Sequence, residues 1–224
     1  MTTLRSLIDT QAPGRQAPLF ETRQGNMELL VDVPGAPLKG IALIAHPQPL
    51  LGGSARHKIP FSLARALSDD AWLAIRPNFR GVGRSEGEHD QGEGESDDLL
   101  CLVHALRDAW PALPIALIGF SFGAYVQARV ANALAQSGQP AEYVVLLGLP
   151  VGLVPDGRFY ATPSLASDTL LIHGEHDEHA PLALLSAHVR KPPIPIVMVP
   201  GADHFFSNGM AQLLALVRQK LAQG

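Results

Sequence analysis

The chain has one cysteine, Cys101, in 224 residues. No intramolecular disulfide is possible, which suits a reducing, cytoplasmic compartment. Charged residues make up only 17% and the net charge is −4 with no long basic run. A disordered chain is excluded by that composition, and neither nucleic acid nor an anionic membrane surface is expected as a partner. No apolar run approaches the length of a bilayer span. Residues 1–15 are mixed and polar, without a positive start leading into an apolar stretch, so no secretory signal is expected. Repeats are absent from the sequence as well. What is present is 46% apolar residues, enough for one substantial core, in a chain long enough for one domain and short for two.

Residues 1–17, with prolines, a glycine and polar residues, read as a loosely held lead-in, and residues 18–224 as a single domain. Residues 19–23 and 27–33 flank the turn signal Gln24-Gly25-Asn26, which predicts a hairpin. Apolar runs at 39–45, 72–76, 115–120, 143–149, 169–172 and 194–199 predict strands buried on both faces. Helical patterns fall between them at 54–70, from about Ser96 to Trp110, 125–135, 181–189 and 208–221. Ser96 is the expected N-cap of the second helix, with Asp97 and Asp98 at its positive end. Strand–helix alternation predicts an α/β fold: a mostly parallel central sheet with helices on both faces, preceded by an antiparallel hairpin. Sites in such sheets lie beyond the carboxyl ends of the strands.

The strand at 115–120 runs into Gly119-Phe120-Ser121-Phe122-Gly123 and then a helix. Strand, Gly-x-Ser-x-Gly, helix is the context of a nucleophile elbow, in which a serine hydroxyl stands clear of the sheet on a strained turn. Two further strand ends carry what a serine needs. One is His173-Gly174-Glu175-His176-Asp177-Glu178, the other Pro200-Gly201-Ala202-Asp203-His204. A serine hydroxyl is a weak nucleophile until an imidazole takes its proton and a carboxylate orients that imidazole. His204 is the candidate base and Asp177 the candidate orienter, with Glu175 as its competitor.

The motifs His46-Pro47-Gln48-Pro49 with Gly52-Gly53, Asn78-Phe79-Arg80-Gly81-Val82-Gly83-Arg84-Ser85, Gly119-Phe120-Ser121-Phe122-Gly123, His173-Gly174-Glu175-His176-Asp177 and Gly201-Ala202-Asp203-His204 together resemble a small, lidless bacterial α/β-hydrolase of the dienelactone-hydrolase-like group. The resemblance covers roughly residues 19–222. It implies Ser121 as nucleophile, Asp177 rather than Glu175 as acid, and His204 as base. Dienelactone hydrolases use cysteine at the elbow, so their substrate does not carry over to a chain with serine there. The resemblance further implies an oxyanion hole from the backbone N–H of Phe122 and of Gln48. Pro47 and Pro49 have no N–H to offer.

The segment 150–168 is too short for a helical lid domain, which implies an open, shallow site. Leu50, Leu51, Phe120, Phe122, Phe205 and Phe206 lie beside the catalytic positions in sequence and are candidates for an apolar acyl pocket, or equally for the core. His46 reads as a structural residue of the oxyanion loop. Arg80 and Arg84 read as loop tethers, with recognition of a substrate carboxylate as the alternative. His173, His176 and His179 sit on a strand end and loop with no cysteine among them, so neither a metal nor another cofactor is expected. Cys101 reads as core filling. The implied activity is hydrolysis of small or short-acyl esters or thioesters through an acyl-serine. The alternatives are a peptidase, amidase or acyltransferase on the same residues, or a silent small-ligand-binding protein. The expected partner is a small-molecule substrate, and the oligomeric state is open.

Overall fold

The computed structural model describes residues 3–223, so residues 1–2 of the predicted lead-in and residue 224 of the predicted domain lie outside it. In chain order the elements are α1 (Leu4–Leu7), β1 (Gly14–Gln16), β2 (Leu19–Thr22), β3 (Gly25–Val33), β4 (Gly40–Ala45), α2 (Lys58–Asp69), β5 (Trp72–Pro77), α3 (Glu93–Ala109), β6 (Ile115–Phe120), α4 (Phe122–Gln136), β7 (Tyr143–Leu147), β8 (Gly152–Leu153), β9 (Phe159–Tyr160), β10 (Leu170–Gly174), α5 (Leu182–His188), β11 (Ile196–Val199) and α6 (Met210–Leu221). A short 3-10 turn, Pro49–Leu51, follows β4.

The main sheet runs β1-β3-β5-β4-β6-β7-β10-β11, with β2 paired to β3. From β5 to β11 every neighbouring pair is parallel. β3 is antiparallel to β5, β1 and β2. The period-two side-chain alternation of a strand explains why continuous apolar runs are needed here. In β4, Ile41, Leu43 and Ala45 face one core with the buried faces of α1, α3 and α4. Ala42 and Ile44 face the other, with α2 and α6. The central strands β4 and β6 are thus covered on both sides and have no polar face to spare.

The structure corrects three expectations. The lead-in is held, not loose: Leu4 and Ile8 are buried in the first core, and β1 extends the sheet through Gly14↔Val33 to Gln16↔Val31. Two apolar residues one helical turn apart were enough to dock a segment otherwise rich in breakers. α3 begins at Glu93, not after Ser96. The wholly buried Glu95 carboxylate accepts the N–H groups of Asp90 and Gly92, each at 2.9 Å. Ser96 lies inside the first turn and donates to the Gly92 carbonyl. Third, α2 starts at Lys58, because residues 54–57 are a turn whose last member, His57, accepts the Ile59 N–H on its Nδ1. Between β7 and β10 there is no helical lid. A small antiparallel hairpin, β8–β9, stands there instead. Among the described residues no helix is long and apolar enough to cross a membrane.

Candidate active site

β6 ends at Phe120 and α4 starts at Phe122, so Ser121 alone makes the turn, at φ 55° and ψ −122°. That backbone state is unfavourable for a residue with a side chain, and it is held by its surroundings. The Ser121 N–H donates to Leu147 O at 2.8 Å, and Ser121 O accepts from Ala124 and Tyr125. The flanking glycines are sterically required. A Cβ on Gly119 would lie 2.3 Å from Gly123 O, and one on Gly123 would lie 2.4 Å from Ala45 O. The α4 N-terminus is thereby drawn onto the end of β4, which brings Ser121 beside the loop of His46 to Gly53.

Ser121 Oγ lies 2.9 Å from His204 Nε2, and His204 Nδ1 lies 2.7 Å from Asp177 Oδ2. β10 and β11, parallel neighbours, end at the same level and deliver the acid and the imidazole side by side. The other oxygen of Asp177 accepts the His179 and Ala180 N–H groups at 2.9 and 2.8 Å. The Asp177 side chain is 0% exposed. Burial alone would raise its pKa. Its hydrogen bond and charge interaction with His204, together with the Ala180 N–H, outweigh that and hold the carboxyl below its ordinary value. Glu175 is exposed and accepts Gly201 N–H at 2.7 Å, so Asp177 is the carboxylate that meets the imidazole. Gly148, at the end of β7 with φ +54°, leaves room for the pair. A Cβ there would lie 3.1 Å from the His204 ring and 3.3 Å from Asp177 Oδ2. An imidazole so placed can take the serine proton as the oxygen attacks, while the carboxylate fixes its tautomer.

Gln48 is buried, and its carbonyl accepts the N–H groups of Leu51 and Gly53 at 3.1 and 2.9 Å. Its own backbone N–H, like that of Phe122, donates to no acceptor among the described residues. The loop is pinned by His46, which is 0% exposed. One ring nitrogen, Nδ1, lies 2.7 Å from Pro47 O, and the other accepts Phe79 N–H at 3.0 Å. This makes Nδ1 the protonated nitrogen. Burial lowers the pKa of His46 to about 3, only partly opposed by the Pro47 carbonyl, so the ring is neutral at ordinary pH.

The cavity at Ser121 has a volume of about 120 Å³. Pro47, Leu51, Val154 and Phe205 form apolar wall. Of the predicted pocket residues, Leu51 and Phe205 are on that wall. Leu50 is not, and is 65% exposed beside it. Phe120 and Phe206 are wholly buried and belong to the core rather than the pocket. The Phe120 ring packs against the His204 imidazole with centroids 5.0 Å apart, so it backs that ring. Sequence reasoning missed His57 and the hairpin residues Asp156, Arg158 and Tyr160, and weighed His179 only as a metal ligand; all of them line the cavity. The hairpin strands are two residues long and give no periodic signal.

Arg80 and Arg84 lie outside the cavity lining. Arg80 chelates Asp98, with Nε–Oδ2 at 2.5 Å and Nη2–Oδ1 at 3.1 Å, and Arg84 Nε meets Glu28 at 2.9 Å. Both tether loops. Cys101 is partly buried against the first core. Among the described residues no cluster of three His, Cys, Asp or Glu side chains is arranged to hold a metal.

The sequence model of the α/β-hydrolase fold matches residues 50–151, a stretch that includes the elbow. An α/β serine hydrolase homologue from Coxiella burnetii is 31% identical, with a TM-score of 0.80 over 94% of this chain and 99% of that one. A lidless α/β serine hydrolase from Xanthomonas campestris is 28% identical, with a TM-score of 0.82 over 95% of each chain. A dienelactone hydrolase from Anabaena variabilis, 19% identical, shares the fold at a TM-score of 0.72 over 94% of this chain and 97% of that one. Sheet order, elbow and near-complete overlap with these relatives agree: the chain belongs to the α/β-hydrolase family, in its lidless form.

Proposed function

We propose that this protein is a serine hydrolase that cleaves small or short-acyl esters or thioesters through an acyl-serine intermediate. The observation that carries this reading is the continuous contact from Ser121 Oγ through His204 to Asp177, at 2.9 and 2.7 Å, opening on one cavity. Ser121 attacks the carbonyl carbon as His204 Nε2 takes its proton. Asp177 holds the resulting imidazolium. The free N–H groups of Phe122 and Gln48 receive the developing oxyanion, and each such donor is worth about 3 kcal/mol. His204 then protonates the leaving alcohol or thiol, activates water for the second attack and returns the proton to serine.

The short-acyl preference comes from size. A cavity of about 120 Å³ is somewhat smaller than the ~150 Å³ void that accommodates a benzene ring. The β8–β9 hairpin closes one side without enclosing a long chain. The substrate is a small molecule, and a reducing, cytoplasmic setting fits the single cysteine.

The test is labelling with a fluorophosphonate probe, with Ser121→Ala as control, followed by nitrophenyl esters of increasing acyl length. Label is expected on Ser121 and lost in the variant, with turnover fastest on acetyl to butyryl esters. Fast turnover of long-chain esters would sink the size argument. An unlabelled protein that binds small ligands and turns over no ester would sink the hydrolase reading.

A further inference from the structure

β10 brings a second imidazole to the same carboxylate. His173 is 0% exposed, and its Nε2 lies 3.7 Å from Asp177 Oδ2, the oxygen that accepts from His204. Neither ring nitrogen completes a hydrogen bond within the described residues. The Ala180 carbonyl approaches the ring without doing so. From the neighbouring strand β11 the register partner is Met198. The charged or titratable groups that reach His173 are Asp177 and His204.

A polar ring sealed in a strand end with no partner is costly, and an apolar side chain of similar size would fill the same space. The position of the ring beside Asp177 supplies a reason for the imidazole. A neutral imidazole carries one N–H. A lone pair on Nε2 facing the carboxylate would repel it, whereas an N–H there attracts it, so the carboxylate selects the Nε2–H tautomer. Burial keeps the ring neutral, with Asp177 opposing that only in part. Asp177 is then met by two backbone N–H groups on Oδ1, by His204 on Oδ2 at hydrogen-bond distance, and by His173 Nε2 at 3.7 Å from Oδ2.

We infer that His173 is a positioning residue for the acid–base pair, its Nε2–H aimed at Asp177 Oδ2 so that the carboxylate stays ionised and turned toward His204. The inference rests on Ser121, His204 and Asp177 acting as proposed above. Loss of the dipole concentrates charge on Oδ2. The coupled Asp177–His204 pair then keeps a proton to higher pH, and activity is lost earlier on acidification.

The experiment is the pH profile of kcat/KM on nitrophenyl acetate for the wild-type protein, His173→Leu and His173→Gln. In His173→Leu the acid limb is expected to move up by about half a pH unit. Glutamine, whose amide can donate, is expected to restore the limb. A packing role alone would lower the plateau in both variants and leave the limb in place, and that result overturns the inference. So does a leucine shift that glutamine fails to reverse. Should His173→Leu not fold, long-range ¹⁵N–¹H correlation on the wild-type protein decides. An Nε2–H tautomer at His173 upholds the inference and Nδ1–H overturns it. The spectrum needs no turnover, so a protein inactive on every ester would fail the proposed function without deciding the tautomer.

Discussion

Around β3 and β5 the buried charges are answered by opposite charges, while at the carboxyl ends of β6, β10 and β11 one buried carboxylate is met by an imidazole and backbone N–H groups, and other polar groups are left unanswered. Asp32 receives Arg76 Nη2 at 2.5 Å and Arg15 Nε at 3.2 Å, and Glu28 receives Arg84 together with the Asn78 amide at 2.7 Å. The Asp32 contacts tie β1, β3 and β5 together, and the Glu28 contacts hold the loop that leaves β5. At the other end one carboxylate meets an imidazole, that imidazole meets a hydroxyl, and the N–H groups of Phe122 and Gln48 are open. Full charges in contact make a stiff frame. A hydroxyl, an imidazole and a carboxylate in line make a site that can move protons.

Substitutions should separate the two regions cleanly. Ser121→Ala is expected to reduce ester turnover by about 10⁴-fold or more, while urea denaturation leaves its stability near that of the parent. Asp32→Ala does the reverse. It strands Arg76, whose side chain is 4% exposed, without its carboxylate. The expected cost is about 3–5 kcal/mol of unfolding free energy, with turnover per folded molecule within about two-fold of wild type. If Asp32→Ala instead lowers kcat while stability holds, the edge is part of the catalytic machinery and the contrast fails.

Acid should also tell the regions apart. His46 has its pKa lowered to about 3 by burial, and the unfolded value is near 6.5. Between those two values the unfolded chain binds a proton that the folded chain refuses. Stability is therefore full above pH 6.5 and falls as pH drops, by up to about 1.4 kcal/mol per pH unit from this residue alone. His57 and His173, both shifted down chiefly by burial, act in the same direction. Asp177 and Glu28, held below the usual carboxylate values, add their losses only at lower pH. Urea denaturation at pH 6.5 and 4.5 is expected to show a loss of about 2–3 kcal/mol that shrinks in His46→Gln. An equal loss in that variant would remove His46 from the account.

Where the sequence was readable, the signal was local. The β6–Ser121–α4 unit is an unbroken apolar run, two glycines and a helix within about twenty residues, and the acid and imidazole each follow a strand end directly. The partners of Arg80 and Arg84 were hidden because Asp98 is 18 positions away and Glu28 is 56. The hairpin side of the pocket was hidden because two-residue strands carry no pattern. Phe120 and Phe206 misled for a different reason: adjacency to a candidate catalytic residue says nothing of which way a side chain turns. Phe120 closes β6 with its ring turned into the second core, and Phe206, at φ 51°, is turned into the same core.

The smallest effect bears most directly on the contrast. At φ 55° and ψ −122°, Ser121 occupies a backbone state in which a Cβ is penalised whatever the side chain beyond it. Ser121→Ala keeps that Cβ and the strain. Ser121→Gly removes both, and the relief outweighs the extra freedom that glycine gives the unfolded chain. The glycine variant is therefore expected to be as inactive as the alanine variant, yet more stable than it by about 1 kcal/mol. Equal stability would mean that the hydrogen bonds of the turn, from Ser121 N–H to Leu147 O and from α4 to Ser121 O, have already absorbed the strain. A gain would show that the site sits at a local stability minimum, set there by the need to hold one hydroxyl clear of the sheet.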